Sequence, residues 1–134
     1  MPFITLNKTL KSLHFKNKNE PWTKASLDDV KNFSKKLFSD IDEFNFIKGK
    51  VEDTLKDKRN LPNKISLLRL DTDLYESTKI ELNILYPLLV EKGILIIDDY
   101  GDFQGCRKAV DEYFSDKNVL MISVDKSCRV IVKN

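Results

Sequence analysis

Two cysteines and one histidine are all that this 134-residue sequence offers of those residue types. Cys106 and Cys128 are isolated and lack metal-ligand spacing, which argues against a zinc site or a disulfide framework. They read as reduced thiols of a cytoplasmic protein. His14 stands alone, and a lone histidine is more often a packing or surface residue than a catalyst. Charge of one sign is also lacking: the formal net charge is +2. The lysines are scattered, with no basic block interleaved with aromatics, so no nucleic-acid partner is expected. No apolar run approaches the ~20 residues of a membrane span, so no membrane partner is expected either. Met1–Leu10 carries no apolar stretch of signal-peptide length. There is no internal repeat and no low-complexity segment.

What is present is the make-up of a globular protein, 41% hydrophobic and 33% charged. The length fits a single domain, 1–134, burying roughly two-thirds of its unfolded surface. Residues 1–25 are its least defined part: Phe3, Ile4, Leu6, Leu10, Leu13 and Phe15 give only a weak pattern. The stretch Lys64–Tyr100 organises the rest. Two apolar runs, Ile65–Leu70 and Ile94–Ile97, each end in acid, at Asp71 and Asp73 and at Asp98 and Asp99. A helical pattern from about Tyr75 to Tyr86 lies between them, with Ile80, Ile84 and Leu85 inward. Strand, helix and strand make a βαβ unit with a parallel pair. Ile65–Leu70 reads as buried on both faces, as a central parallel strand is.

Function in open parallel sheets collects at the carboxyl ends of strands. If the two strands are neighbours, Asp71, Asp98 and Asp99 converge there. Carboxylates that close need a compensating charge, and a hard divalent cation is the simplest one. The plainer alternative is that Asp71 and Asp73 cap a helix while Asp98 and Asp99 merely end a strand. Thr72, Asp73 and Ser77 are all candidate caps for the following helix, and Gly93 is its expected stop.

Ser26 is an expected N-cap, with Asp28 and Asp29 in the first turn and Val30, Phe33, Leu37 and Phe38 as the apolar stripe. Phe44–Ile47 reads as a short strand. Val51–Leu55 follows as a capping or helix-starting segment. Gln104–Phe114 is a second helix of the organising half, with Ala109, Val110, Tyr113 and Phe114 inward. Val119–Val124 and Arg129–Val132 are joined too briefly for anything but an antiparallel hairpin. The class is α/β: a partial Rossmann-like sheet, mainly parallel, with a C-terminal antiparallel hairpin.

That ending resembles class I S-adenosylmethionine-dependent methyltransferases, which close their sheet with a reversed strand. The segments KGKVEDTL, LLRLDTDLYEST and ILIIDDYGDFQGCRKAVDEYF are more specific. They resemble the macrocin O-methyltransferase (TylF/MycF-type) family, from about Ser26 to Val132. The resemblance implies a magnesium-using transferase that moves a methyl group from S-adenosylmethionine to a sugar or other small-molecule hydroxyl. It implies Asp71, Asp98 and Asp99 as metal ligands and Asp71 also as the acid that helps deprotonate the acceptor. It places Val51, Glu52 and Asp53 along the cofactor's adenine, and Tyr75 and Tyr100 at the substrate pocket.

In one respect the sequence departs from that family. The four glycines, Gly49, Gly93, Gly101 and Gly105, make no strand–loop–helix opening near the N-terminus. The chain reads as the C-terminal half of such an enzyme, without the glycine-rich loop and ribose-binding acid. Two other readings compete: an inactive fragment or partner-dependent subunit, and a metal-dependent glycosyltransferase using Asp71-Thr72-Asp73 as its DxD motif. The oligomeric state is left open, a homo-oligomer included.

Overall fold

A computed structural model describes residues 26–38 and 40–134. His14 and the weak apolar pattern from Phe3 to Phe15 lie outside the described residues. Helix α1 spans Leu27–Leu37, α2 Val51–Thr54, α3 Tyr75–Leu85 and α4 Gln104–Phe114. Strands β1 (Ile65–Leu70), β2 (Leu89–Ile97), β3 (Met121–Ser123) and β4 (Arg129–Val132) form one sheet in the order β1-β2-β4-β3. The β1–β2 pair is parallel, and the two pairs made by β4 are antiparallel. The last strand therefore inserts between β2 and β3.

The expected strand at Phe44–Ile47 does not form, which leaves the described sheet mixed rather than mainly parallel. The aromatics of that segment turn to one another instead. Phe44 packs against Phe38 at 5.0 Å and against Phe46 at 5.9 Å between ring centres. The strand expected over Val119–Val124 shortens to Met121–Ser123.

Ser26 caps α1 through a reciprocal box. The Asp29 amide donates to Ser26 Oγ at 3.1 Å, and the Ser26 amide donates to Asp29 Oδ2 at 3.2 Å. The stripe predicted to be buried is largely not: Phe33, Leu37 and Phe38 are all exposed, and only Ser34 of this helix is buried. Helix α3 ends one residue early, and Tyr86–Leu88 with Pro87 makes a 3-10 turn into β2. Gly93 does not stop the helix. It lies within β2, where Ile65 faces Leu89 but Leu67 already faces Ile94. The extra residues of β2 are absorbed where Lys92 takes φ 61°. A Cβ on Gly93 would stand 2.7 Å from the Val90 carbonyl oxygen.

The sheet has a covered face and an open one. Leu68, Leu70, Leu95, Ile97 and Ile131 point to the covered face and are buried among Leu82 and Leu85 of α3 and Cys106, Val110 and Phe114 of α4. Tyr86 meets Tyr113 and Phe114 edge-on beside them, at 5.6 and 5.1 Å. The alternate residues Leu67, Ile94, Ile122 and Val132 remain exposed. β1 is thus buried on one face, not two, and in the described sheet it is an edge strand with β2 as its neighbour.

Candidate metal centre

Because β1 and β2 are parallel neighbours with Leu70 opposite Ile97, their carboxyl ends lie side by side. The Asp98 amide donates to the Leu70 carbonyl at 3.0 Å and carries the pairing one step beyond the strands. Asp71 and Asp98 therefore leave the sheet together. One carboxylate oxygen from each of Asp71, Asp98 and Asp99 lies within 4.8 Å of the others. The three acids expected to converge do so.

Their surroundings differ. Asp99 is only 4% exposed, and its Oδ2 has no hydrogen-bond partner. Burial, with the Asp73 carboxyl against it and Asp71 and Asp98 nearby, pushes its acid up to about 7. Asp71 is pushed up to about 6, chiefly by burial; the Arg69 guanidinium opposes the rise, and the Asp98 and Asp73 carboxyls add to it. Arg69 Nη2 lies 2.9 Å from Asp98 Oδ2 and 3.2 Å from Asp71 Oδ2, bridging the two strand ends. Cys106, also buried, has its thiol pushed up to about 11, which makes it an inert packing residue.

The loops that present these acids are fixed by residues expected to cap α3. None of Thr72, Asp73 and Ser77 does so: the N-cap is Leu74, with no side-chain bond. Thr72 Oγ1 donates to Glu81 Oε2 at 2.6 Å, and Thr78 Oγ1 donates to the Thr72 carbonyl at 2.9 Å. Ser77 donates to Glu52, tying α2 to α3. On the second loop, Ser127 Oγ donates to the Asp98 carbonyl at 2.8 Å, and the Gly101 amide donates to the Ser127 carbonyl at 3.0 Å. Gly101 must be glycine, since a Cβ there would stand 1.9 Å from the Lys126 carbonyl oxygen.

Of the remaining predicted site residues, Glu52 is committed to Ser77, and Asp53 faces solvent with Lys56 at 3.4 Å. Val51 packs on the core edge. The Tyr75 hydroxyl donates to Glu112 at 2.6 Å, and the Tyr100 hydroxyl donates to Asp111 at 2.7 Å. Both tyrosine hydroxyls are held by acids of α4, with Lys79 Nζ also donating to Tyr75 at 2.8 Å, rather than by Asp71, Asp98 or Asp99. The Tyr100 ring also meets the guanidinium groups of Arg107 and Arg129, at 5.3 and 5.0 Å.

Two participants were not singled out from the sequence. Arg69 precedes Asp71 by two residues, and side chains two apart on a strand share a face, so its proximity could have been read. Glu81 falls on the inner face of α3 beside buried Leu82 and Leu85, where an acid needs a donor.

Three hard carboxylates with an orphaned buried oxygen and no thiolate are a donor set suited to a divalent ion such as magnesium. The family described as macrocin-O-methyltransferase (TylF) matches residues 6–132. The chain belongs to that family. It is 36% identical over 88 residues to the demethyldecarbamoylnovobiocin O-methyltransferase of Streptomyces niveus, covering 63% of this chain and 32% of that protein. It is 42% identical over 72 residues to an 8-demethyl-8-(2,3-dimethoxy-alpha-L-rhamnosyl)-tetracenomycin-C 4'-O-methyltransferase of Streptomyces olivaceus, covering 54% and 26%. The solved structure of the O-methyltransferase NovP superposes with a TM-score of 0.75 at 32% identity, over 84% of this chain and 47% of that one. The chain thus spans about half of the solved relative and between about a quarter and a third of these curated ones. The α/β fold is that of these methyltransferases.

Proposed function

We propose that this chain supplies the metal and acceptor-hydroxyl site of an S-adenosylmethionine-dependent, magnesium-assisted O-methyltransferase acting on a hydroxyl of a sugar or other small molecule. The observation that carries this reading is the convergence of Asp71, Asp98 and Asp99 with Asp99 Oδ2 buried and unpartnered. Family membership favours it over a DxD glycosyltransferase.

Methyl transfer from a sulfonium breaks a C–S bond as an O–C bond forms in line with it, and the acceptor must lose its hydroxyl proton. Positioning of the two reactants supplies much of such a barrier, on the order of 7–11 kcal/mol. A magnesium ion held by the three aspartates would orient the acceptor and lower the pKa of its hydroxyl. In this reading Asp71 takes that proton. Burial and the neighbouring Asp98 and Asp73 carboxyls raise its affinity for a proton in the metal-free cluster. The Ser77–Glu52 bond fixes the Val51–Asp53 segment relative to the carboxylates, as a segment lying along the cofactor's adenine requires.

Among the described residues no glycine-rich turn precedes β1 to hold the methionine end of that cofactor. The 134-residue chain alone is therefore expected to bind S-adenosylmethionine weakly and not to turn over, which is the partner-dependent form of this reading. Calorimetric titration with magnesium, and then with S-adenosylmethionine, tests both parts. Absence of magnesium binding would overturn the metal reading. Micromolar binding of S-adenosylmethionine would overturn the expected weakness.

A further inference from the structure

Asp71 and Asp98 already have a cation between them. We propose that Arg69 is a resident counter-ion of the carboxylate cluster, that it competes with a divalent cation for Asp71 and Asp98, and that it sets the concentration at which the site loads. The inference rests on the metal reading above and adds to it a built-in occupant.

Three features of Arg69 carry it. First, a single nitrogen, Nη2, reaches both carboxylates, at 2.9 and 3.2 Å, and so spans the ends of β1 and β2. Both carboxylates are among the three whose oxygens converge within 4.8 Å. Magnesium ligates oxygen at about 2.0–2.1 Å. An ion seated on both Asp71 and Asp98 would therefore sit within a few ångströms of Nη2, with a guanidinium that does not surrender its proton. Two cations that close repel one another, so occupancy by one disfavours the other. Second, Arg69 leaves Asp99 unserved: Asp99 Oδ2 has no partner while Arg69 holds the other two acids. A guanidinium thus neutralises the cluster incompletely, and a small divalent ion can reach what it cannot. Third, the Arg69 side chain is 41% exposed and lies on the open face of the sheet, where its register partner is Ile96. It can swing into solvent without unpacking the core. The site therefore has two arrangements: closed by Arg69, or loaded with Arg69 released.

The test compares manganese(II) binding, by loss of the free-ion paramagnetic resonance signal and by calorimetry, in the full chain and in Arg69→Gln and Arg69→Lys. Competition predicts that Arg69→Gln binds at least tenfold more tightly than wild type, with Arg69→Lys between them. Arg69→Gln binding no more tightly than a wild-type chain that does bind would overturn the inference and leave the metal reading standing. Binding by neither chain would overturn both. Should Arg69→Gln fail to fold, nitrogen-15 side-chain spectra of wild type decide. Adding magnesium should move the Arg69 resonances toward those of a free, exposed arginine. An unmoved Arg69 signal at saturating magnesium would overturn the inference.

Discussion

Asp99→Asn should stabilise the metal-free protein above neutral pH and at the same time abolish its stabilisation by magnesium. The reasoning starts from burial. An acid held at about 7 instead of 3.8 ionises at a cost on the order of 4 kcal/mol, at about 1.36 kcal/mol per pKa unit. The sign follows from proton counting. Between about pH 4 and 7 the unfolded chain has lost the Asp99 proton and the folded chain keeps it, so the folded state binds more protons and stability falls as pH rises. Asp71, held at about 6, adds to the fall in the lower part of that window. Asp29, Asp57, Asp116 and Asp125 are all lowered, so their contribution is complete before the window opens.

Asparagine removes the ionisation but leaves a polar group to bury, so about half of the cost should be recovered: ~2 kcal/mol, or ~5–8 °C in Tm. The difference from wild type should vanish near the ordinary carboxylate pKa and reach its full size above about pH 7. Thermal melts followed by circular dichroism, with chelator and then with magnesium, give both readouts. An Asp99→Asn variant that melts below wild type at alkaline pH without metal would refute the argument, because it would mean that the ionised carboxylate is held by a favourable partner. Full magnesium stabilisation of the variant would refute the assignment of Asp99 as a ligand.

Other expectations can be checked with the same melts. Leu68→Ala should cost ~2–5 kcal/mol and Leu67→Ala under ~1 kcal/mol, since the two neighbours point to opposite faces and are 2% and 39% exposed; equal losses would contradict the one-sided burial of β1. Thr72→Val deprives buried Glu81 of a hydroxyl donor at 2.6 Å and should cost ~1–3 kcal/mol; a neutral change would show that this bond does not hold the Asp71–Asp73 loop. Gly101→Ala forces the 126–127 backbone away and should lower Tm by the equivalent of ~1–3 kcal/mol while weakening magnesium binding through the Ser127–Asp98 bond; unchanged metal affinity would separate that loop from the site.

The site was more legible than the sheet that carries it. Asp71, Asp98 and Asp99 could be placed because an apolar run that stops in acid marks a strand's carboxyl end, and because a helix between two such runs makes them parallel neighbours. The misread elements share a cause: composition reports how apolar a segment is, not whether anything pairs with it or covers it. Phe44–Ile47 has strand-like residues and no ladder. The α1 stripe of Phe33 and Leu37 has helical spacing and remains exposed. Gly93 looked like a helix stop because nothing local revealed that β2 already begins at Leu89 and takes up its surplus residues around Lys92. The former candidate caps, Thr72 and Ser77, show the converse. Their side chains serve long-range partners, Glu81 and Glu52, that no local rule connects to them.

β1 and β2 carry apolar residues on the open face of the sheet as well as on the covered one. A strand covered on one side usually alternates, yet Leu67, Ile94, Ile122 and Val132 stay apolar on the open face. β1 adds an outer edge with no strand beyond it in the described sheet. Both features match a sheet layer suited to burial on two sides, and an exposed apolar edge is a route to strand addition. The carboxylate cluster needs no such cover: Asp71, Asp98 and Asp99 are fixed by β1, β2 and their own loops. The open face and edge are expected to bear on cofactor retention and self-association instead. Metal binding should therefore survive in the 134-residue chain under conditions where cofactor binding does not.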